Sequence, residues 1–403
     1  MISLFKIAWR NVSRNTRRTL ISVFAIFIGI GVNVTIRGFM NGLQGQLVRN
    51  VVGGRMGALQ IHHEGYVASI EGVPLNLDMP FDAALLAKLA ALPGVTGAAP
   101  RITFPVIVSK GDETVFALGS AIDPAAEYKI CPTEAEVVSV GAPLGGGPGM
   151  LMSTQLASAL KANVGDMITL LGNDKDGLLN GIELKLAGTY TSRVPGLEKT
   201  IIATLPEVQG LLRMEGRITE IALGMANPRA VDALVPSVVA ALPPGHEVHT
   251  WQQLAKSITD IMKFQNTFLG VASAVFLLVA LTLIVNTMLM AVLERVREIG
   301  TMMAVGVRRR QVLGLFLMES GLLGLIGGIV GALAGWGVVT WMGWRGIELS
   351  MPGVKATNIL RPEIGLSYLA LMVAVTIAGA VVAAVYPAWN ASRLRPVEAL
   401  QSV

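Results

Sequence analysis

Four histidines, one cysteine and one glutamate stranded in an apolar run are the side chains of this 403-residue sequence whose type and placement could do chemistry. His62-His63 and the pair His246 and His249 could suggest a metal. However, His246-Glu247-Val248-His249 lacks the HExxH spacing that sets two imidazoles on one helix face, so solvated or packed imidazoles are expected. Cys131 is the only cysteine, which rules out an internal disulfide, and a single thiol with no recognisable histidine partner is a poor nucleophile. No Gly-Lys dipeptide occurs, so the chain has no GxxxxGK[ST] phosphate loop and is not expected to hydrolyse ATP by itself. No catalytic set, no metal site and no cofactor of its own are expected.

Glu319 is different. It lies nine residues into an otherwise uncharged stretch, Gln311 to Trp344. Facing lipid it would cost about 2.5 to 3.5 kcal/mol, so it should face protein, water or the membrane interface. That leaves a proton relay or a helix-packing glutamate near one membrane face. Further along the same stretch, Gly324, Gly327, Gly328, Gly331 and Gly335 form overlapping small-xxx-small steps. Such steps let helices approach closely, against another span or a second subunit.

Composition explains why such a stretch exists. The chain is 52% hydrophobic and 15% charged, whereas soluble domains carry about 25% charged residues. Apolar residues are concentrated in four runs: Thr19 to Ile36, Thr267 to Leu293, Gln311 to Trp344 and Ile364 to Trp389. Each is long enough to cross a bilayer as a helix. The third is expected to be one long helix, because a connecting loop inside lipid would leave its backbone unsatisfied. The basic residues Lys6, Arg10, Arg14, Arg17 and Arg18 before the first run resemble a signal-peptide start. No small-x-small cleavage site follows, so an uncleaved anchor is expected.

Charge assigns sides. Arg295, Arg297, Arg308, Arg309 and Arg310, against Glu294 and Glu298, lie between the second and third runs, and the tail carries Arg393 and Arg395 against Glu398. With the basic N-terminal segment, these belong in the cytoplasm by the positive-inside rule. Residues 39–265 carry 16 Lys+Arg and 21 Asp+Glu, and the remainder 16 and 6. The net charge of +5 therefore reports topology and not a nucleic-acid partner.

The expected fold is a membrane protein with four transmembrane α-helices, one N-terminal and three C-terminal, and a large α+β extracytoplasmic domain between the first and second. The divisions are a cytoplasmic amphipathic segment 1–18, a span 19–38, the external domain 39–265 and a span with a stalk extension 266–293. A cytoplasmic link 294–311, a span 312–343, an external loop 344–363, a span 364–389 and a cytoplasmic tail 390–403 follow. Strands are expected at Leu59–His62, Ile102–Ser109, Thr114–Ile122, Met167–Leu171, Ile182–Leu186, Thr200–Thr204 and Ile218–Leu223. Helices are expected at Asp82–Ala91, Ser153–Lys161, Leu205–Arg213 and Pro228–Leu242. The Gly/Pro stretch Gly141–Gly149 reads as a surface loop or a connection between two subdomains. From Thr250 no Gly or Pro intervenes before Gly270, so one continuous helix is expected from the external domain into the second span.

The link ERVREIGTMMAVGVRRRQV is long enough for a short helix, lying on the lipid surface or docking in a groove of a cytoplasmic partner. This link, the following FLMESGLLGLIGGIVGALAG, the C-terminal YPAWNASRLRPVEAL and the N-terminal FKIAWRNVSRNTRRTLIS together resemble the permeases of MacB-like (type VII) ABC transporters, which share an FtsX-like membrane domain. FMNGLQGQL and GALQIHHEGY look similar to the lipoprotein-releasing (Lol-type) branch, as does the absence of a fused ATPase from this sequence. The resemblance implies that the link is a coupling helix contacting an ATPase, through Arg297, Glu298, Ile299, Gly300, Met303, Ala304 and Gly306. It implies a bacterial inner-membrane protein with both termini cytoplasmic and the large domain periplasmic. Its partners would be a dimer of separate ATPase chains binding ATP and Mg, a second permease copy or paralogue, and membrane lipids. The work implied is mechanotransmission for lipoprotein release to a periplasmic acceptor. The alternatives are small-molecule or peptide efflux with an adaptor and outer-membrane channel, and FtsX-like regulation of cell-wall hydrolases.

Overall fold

The computed structural model describes residues 2–14, 16–132, 135, 138–145, 147–191, 199–349 and 358–393. Outside them lie 350–357 of the external loop, the tail from 394 with Arg395 and Glu398, and Gly146 of the Gly/Pro stretch. In chain order, α1 (Ile2–Arg14) and α2 (Thr16–Val51) lead through a π turn, Val52–Met56, to β1 (Leu59–His63), β2 (Met79–Pro80) and α3 (Ala83–Ala90). Then come β3 (Val95–Lys110), β4 (Glu113–Ile122), α4 (Pro124–Ile130), β5 (Val138–Gly141), β6 (Met150–Ser153), α5 (Thr154–Ala159), β7 (Met167–Asn173) and β8 (Leu179–Tyr190). The external part ends with β9 (Thr200–Thr204), α6 (Leu205–Leu212), β10 (Arg217–Ile218), β11 (Glu220–Met225), α7 (Val235–Ala241), β12 (His246–Thr250) and α8 (Trp251–Leu254). Last are α9 (Lys256–Glu294), α10 (Val296–Ala304), α11 (Arg309–Arg345) and α12 (Leu366–Ser392).

Two compact units result, one from 1–44, 262–347 and 359–403, the other from 45–261 and 348–358. In the second, the strand order is β12-β1-β11-β3-β4-β9-β6-β8-β5, and β7 pairs with both β3 and β8. Strands β3, β4, β9, β6, β8 and β7 thus close a ring. Side chains alternate in and out, as a two-residue period requires: Phe104, Val106 and Val108 on β3 and Ile168 and Leu170 on β7 are buried. Gly119 on β4 leaves room for the Phe104 ring, which a side chain there would strike. Helices start where side chains satisfy their first amides: Asp82 accepts from Ala84 N, Asp123 from Ala125 N and Ser153 from Leu156 N.

Several expectations change. The helix from Thr250 is not continuous, because Ala255 leaves helical geometry at φ −92°, ψ 47°. Tertiary anchoring replaces a Gly or Pro breaker here: buried Trp251 donates its indole N–H to Pro228 O at 2.9 Å and fixes α8 on the external unit. Pro228–Leu242 divides into a 3-10 turn, Pro228–Ala233, and α7. Ile218–Leu223 divides at Thr219, whose hydroxyl accepts from Thr103 N. Gly141–Gly149 joins β5 to β6, and both pair with β8, so it is a loop within one sheet and not a link between subdomains.

The other unit contains helices α2, α9, α11 and α12, all long and apolar enough to cross a membrane. α2 runs beyond the first uncharged stretch to Val51, and α9 begins at Lys256, before the second. A single hydrophobic cluster joins the four helices, with Ile30 and Val34 of α2, Ile284 and Met288 of α9, Phe316 of α11 and Ala384 of α12 among its members.

Candidate functional site

The link between α9 and α11 is built from its backbone outward. α9 ends at Glu294, Arg295 leaves helical geometry, and Ile299 N then donates to Arg295 O at 2.9 Å to open α10. α10 stops where Gly306 adopts φ +101°, a left-handed conformation that disfavours any side chain. Val307 N closes the turn onto Met302 O, and Arg308 N donates to Gln311 Oε1 at 2.9 Å to start α11.

This geometry sorts the coupling-helix residues named above. Arg297, Glu298, Ala304 and Gly306 are exposed. Ile299 and Gly300 are buried, and Met303 is half-buried against the bundle core, so these three hold the helix down. The outward set gains a member that the sequence did not mark: Val305 is 89% exposed beside Gly306.

Beneath α10 lies a chain of charges. Arg14 of α1 donates to Glu298 Oε1 at 2.9 Å, and Glu298 Oε2 stands 3.5 Å from Arg295 Nε. Arg295 Nη1 in turn stands 3.5 Å from Oε2 of Glu319, which is only 2% exposed. The outer pair, exposed on both sides, contributes about 0.2 to 1 kcal/mol. The inner pair is buried, and breaking it by removing one partner costs about 3 to 5 kcal/mol. Glu319 is therefore the buried anchor of the α9–α10 junction.

The five glycines do not share one partner. A Cβ at Gly324 would lie 2.8 Å from Ala380 Cβ, and one at Gly328 would lie 3.5 Å from Thr376, both on α12. At Gly327, Gly331 and Gly335 it would meet Ile26, Phe27 and Gly31 of α2 at 2.8 to 2.9 Å. α11 is thus wedged between two helices of its own chain, each reached through its own row of glycines.

The candidate metal ligands fare differently. Pairing of β1 with β12 brings His62 within 6.5 Å of His249, ring to ring. Yet His62 faces Thr219 O and Gln60 Oε1 at 3.2 Å each and stacks on Tyr66, and burial lowers its pKa against the opposing pull of Glu220. His63 faces Glu64 O and His246 faces Pro243 O. No group of three or more metal-capable side chains exists among the described residues. Cys131 is buried, donating to Val52 O and accepting from Arg101. Arg101 itself is buried between Glu127 and Glu220, at 2.5 and 2.9 Å.

Residues 19–241 match the MacB-like periplasmic core domain, and residues 270–396 match the FtsX-like permease C-terminal domain. The chain belongs to the MacB-like permeases. This MacB-like permease is 25% identical over 428 residues to the macrolide export ATP-binding/permease protein MacB of Brucella abortus, covering 98% of this chain and 60% of that protein. It is 22% identical over 408 residues to the lipoprotein-releasing system transmembrane protein LolC of Neisseria meningitidis serogroup B, covering 95% and 94%. It spans between 34% and 60% of the first three MacB relatives. Among solved structures, the periplasmic region of MacB from Actinobacillus actinomycetemcomitans aligns with a TM-score of 0.36 and 11% identity over 53% of this chain and 95% of that one.

In the sequence of this MacB-like permease, α10 and Glu319 stand apart, and no residue pattern connects them. Arg295 was visible only as one of five arginines. Its burial follows from the turn at the end of α9, which no residue type announces. Val305 carried a weak signal, an aliphatic residue directly before the glycine that ends α10.

Proposed function

We propose that the chain is the membrane subunit of an ABC transporter in a bacterial inner membrane, with both termini in the cytoplasm. It couples ATP hydrolysis by partner ATPases to work on the external face by mechanotransmission. The observation that carries this reading is the two-sided α10. Ile299 and Gly300 fasten it to the bundle, while Arg297, Glu298, Ala304 and Val305 are offered outward. Such a short amphipathic helix fits a groove on a soluble partner. ATP and Mg would be bound by that partner. Closure of two ATPases would draw two permeases together, with α2 and α9 as the levers towards the external domain.

The substrate we favour is a lipoprotein, released towards a periplasmic acceptor. Alignment with LolC over nearly the whole of both chains supports this choice. Depletion of the protein should then leave outer-membrane lipoproteins in the inner membrane fraction, and normal sorting would eliminate the reading. A second reading, efflux with an adaptor and an outer-membrane channel, draws on the macrolide export relatives. It predicts drug sensitivity on depletion with lipoprotein sorting intact.

A further inference from the structure

Within the membrane unit, α2 meets its neighbours in two different ways. Towards α11 the backbones are pressed together: an added Cβ at Gly331 or Gly335 would lie 2.9 or 2.8 Å from Phe27 O or Gly31 O. Towards α9 the approach at mid-helix is ordinary van der Waals contact, a Cβ at Gly29 standing 3.8 Å from Ala280 Cβ. Further along α2 the joint with α9 turns polar. Gln44 Nε2 lies 3.4 Å from both Gln265 Oε1 and Asn266 Oδ1, and Arg37 Nη1 donates to the same Asn266 Oδ1 at 3.0 Å. The Arg37 guanidinium also sits 5.8 Å from the centre of the Tyr368 ring on α12, whose hydroxyl donates to buried Asn33 of α2 at 2.9 Å.

Three features make this joint separable. First, it lies where the uncharged runs of α2 and α9 stop, at Arg37 and just before Thr267, and Asn266 is exposed. Hydrogen bonds in such a place exchange for bonds to water at small net cost. Second, α9 keeps its apolar bulk out of the joint. Phe264 and Phe268, on either side of Gln265 and Asn266, are 73% and 63% exposed, whereas burying those rings against α2 would tighten it. Third, the C-terminal end of α9 is fixed by the buried Arg295–Glu319 pair, and the break at Ala255 frees its N-terminal end from α8. Asn266 lies about 44 Å along the helix from Arg295, so a tilt of about 5° around that foot moves it about 4 Å and Ala280 about 2 Å. The first shift breaks the polar bonds, and the second only loosens the contact with Gly29.

We propose that this polar cluster is a releasable clasp: α9 tilts around its Arg295 foot, the bonds of Arg37 and Gln44 to Gln265 and Asn266 part, and α2 separates from α9 there. Arg37, set between Asn266 and the Tyr368 ring, is its keystone. The purpose of the release rests on the coupling role proposed above, and the clasp itself does not.

The test uses the full chain carrying Gln44→Cys and Gln265→Cys, with native Cys131 buried, and a short bis-methanethiosulfonate reagent that bridges the span of the two lost amides. Bridging is read as the loss of thiols that label after denaturation. Arg37→Met should slow it about fivefold, the effect of one net hydrogen bond, and Arg37→Lys should restore it. Asn266→Leu, an exposed substitution that removes the acceptor and leaves the cation, should act like Arg37→Met. Bridging at the parent rate in both variants would overturn the clasp. In complex with the cognate ATPase, the bridge should lower ATP turnover severalfold, and dithiothreitol should restore it. Full turnover in the bridged complex, where Val305→Asp still lowers turnover, would overturn the separation and leave the coupling role standing. Turnover insensitive to both the bridge and Val305→Asp would overturn both.

Discussion

Arg295, at the end of one membrane helix, reaches Glu319, about three turns into the next, across a gap of 3.5 Å. The pair joins α9 to α11 underneath the short helix that separates them in sequence. It also explains why a carboxylate is tolerated in an apolar run: its negative charge is neutralised in place by a cation that is itself buried.

Replacing Arg295 by Met should leave Glu319 buried without its cation, lowering stability by about 3 to 5 kcal/mol. The double variant Arg295→Met/Glu319→Leu should recover most of that loss, because neither charge then remains. Thermal unfolding in detergent measures both, and a double variant as unstable as the sum of its parts would deny the coupling.

The glycine rows predict an asymmetric mutational pattern on α11. Gly335→Ala drives a methyl to within 2.8 Å of Gly31 O, whereas an added Cβ at Gly337 meets nothing within 4 Å. The first should destabilise by about 1 to 3 kcal/mol. The second should be neutral, or stabilising by about 1 kcal/mol through helix propensity. Comparable melting temperatures for the two variants would count against wedging of α11 between α2 and α12.

His62 gives the external unit an acid sensitivity. Burial depresses its pKa below the ordinary 6.5, so the folded chain binds fewer protons than the unfolded one. Stability from this group is complete above 6.5 and falls as pH drops through that value toward the lower folded pKa. The limiting slope for one proton is about 1.4 kcal/mol per pH unit. Glu247 follows the same rule at lower pH. Burial opposes its ionisation, but hydrogen bonds from Val67 N and Gly65 N hold its pKa below the usual 4.5, so its contribution is lost only in stronger acid. Melting curves between pH 7 and pH 5 should flatten in His62→Gln, and an unchanged slope would remove His62 as the cause.

Cys131 is fully buried. A maleimide should label it slowly in the folded protein and rapidly after denaturation. Arg101→Met should speed labelling by leaving Glu127 and Glu220 buried without their cation and loosening the unit around the thiol.

Much of this architecture could be read from the sequence because lipid imposes simple demands. Uncharged runs such as Thr267–Leu293 cross lipid as helices, which satisfy their own backbone groups. What stayed hidden depends on contacts between distant residues. His246–Thr250 is too polar to look like a strand and becomes one by pairing with Leu59–His63. Ala255 breaks a helix for want of any local signal, because Trp251 is held by Pro228. One glycine stripe in sequence is two rows in space, since residues three and four apart turn to different neighbours. At the site, the helix could be anticipated but not its inward and outward faces.

Those faces provide the most direct test of what α10 does. With the permease and its cognate ATPase copurified, ATP turnover should fall severalfold in Val305→Asp and Glu298→Arg, whose side chains point outward. The ATPase should also dissociate more readily from both. The internal variant Ile299→Val should leave turnover unchanged. Wild-type turnover and assembly in both outward variants would contradict the assignment of α10 as the surface through which this permease is driven.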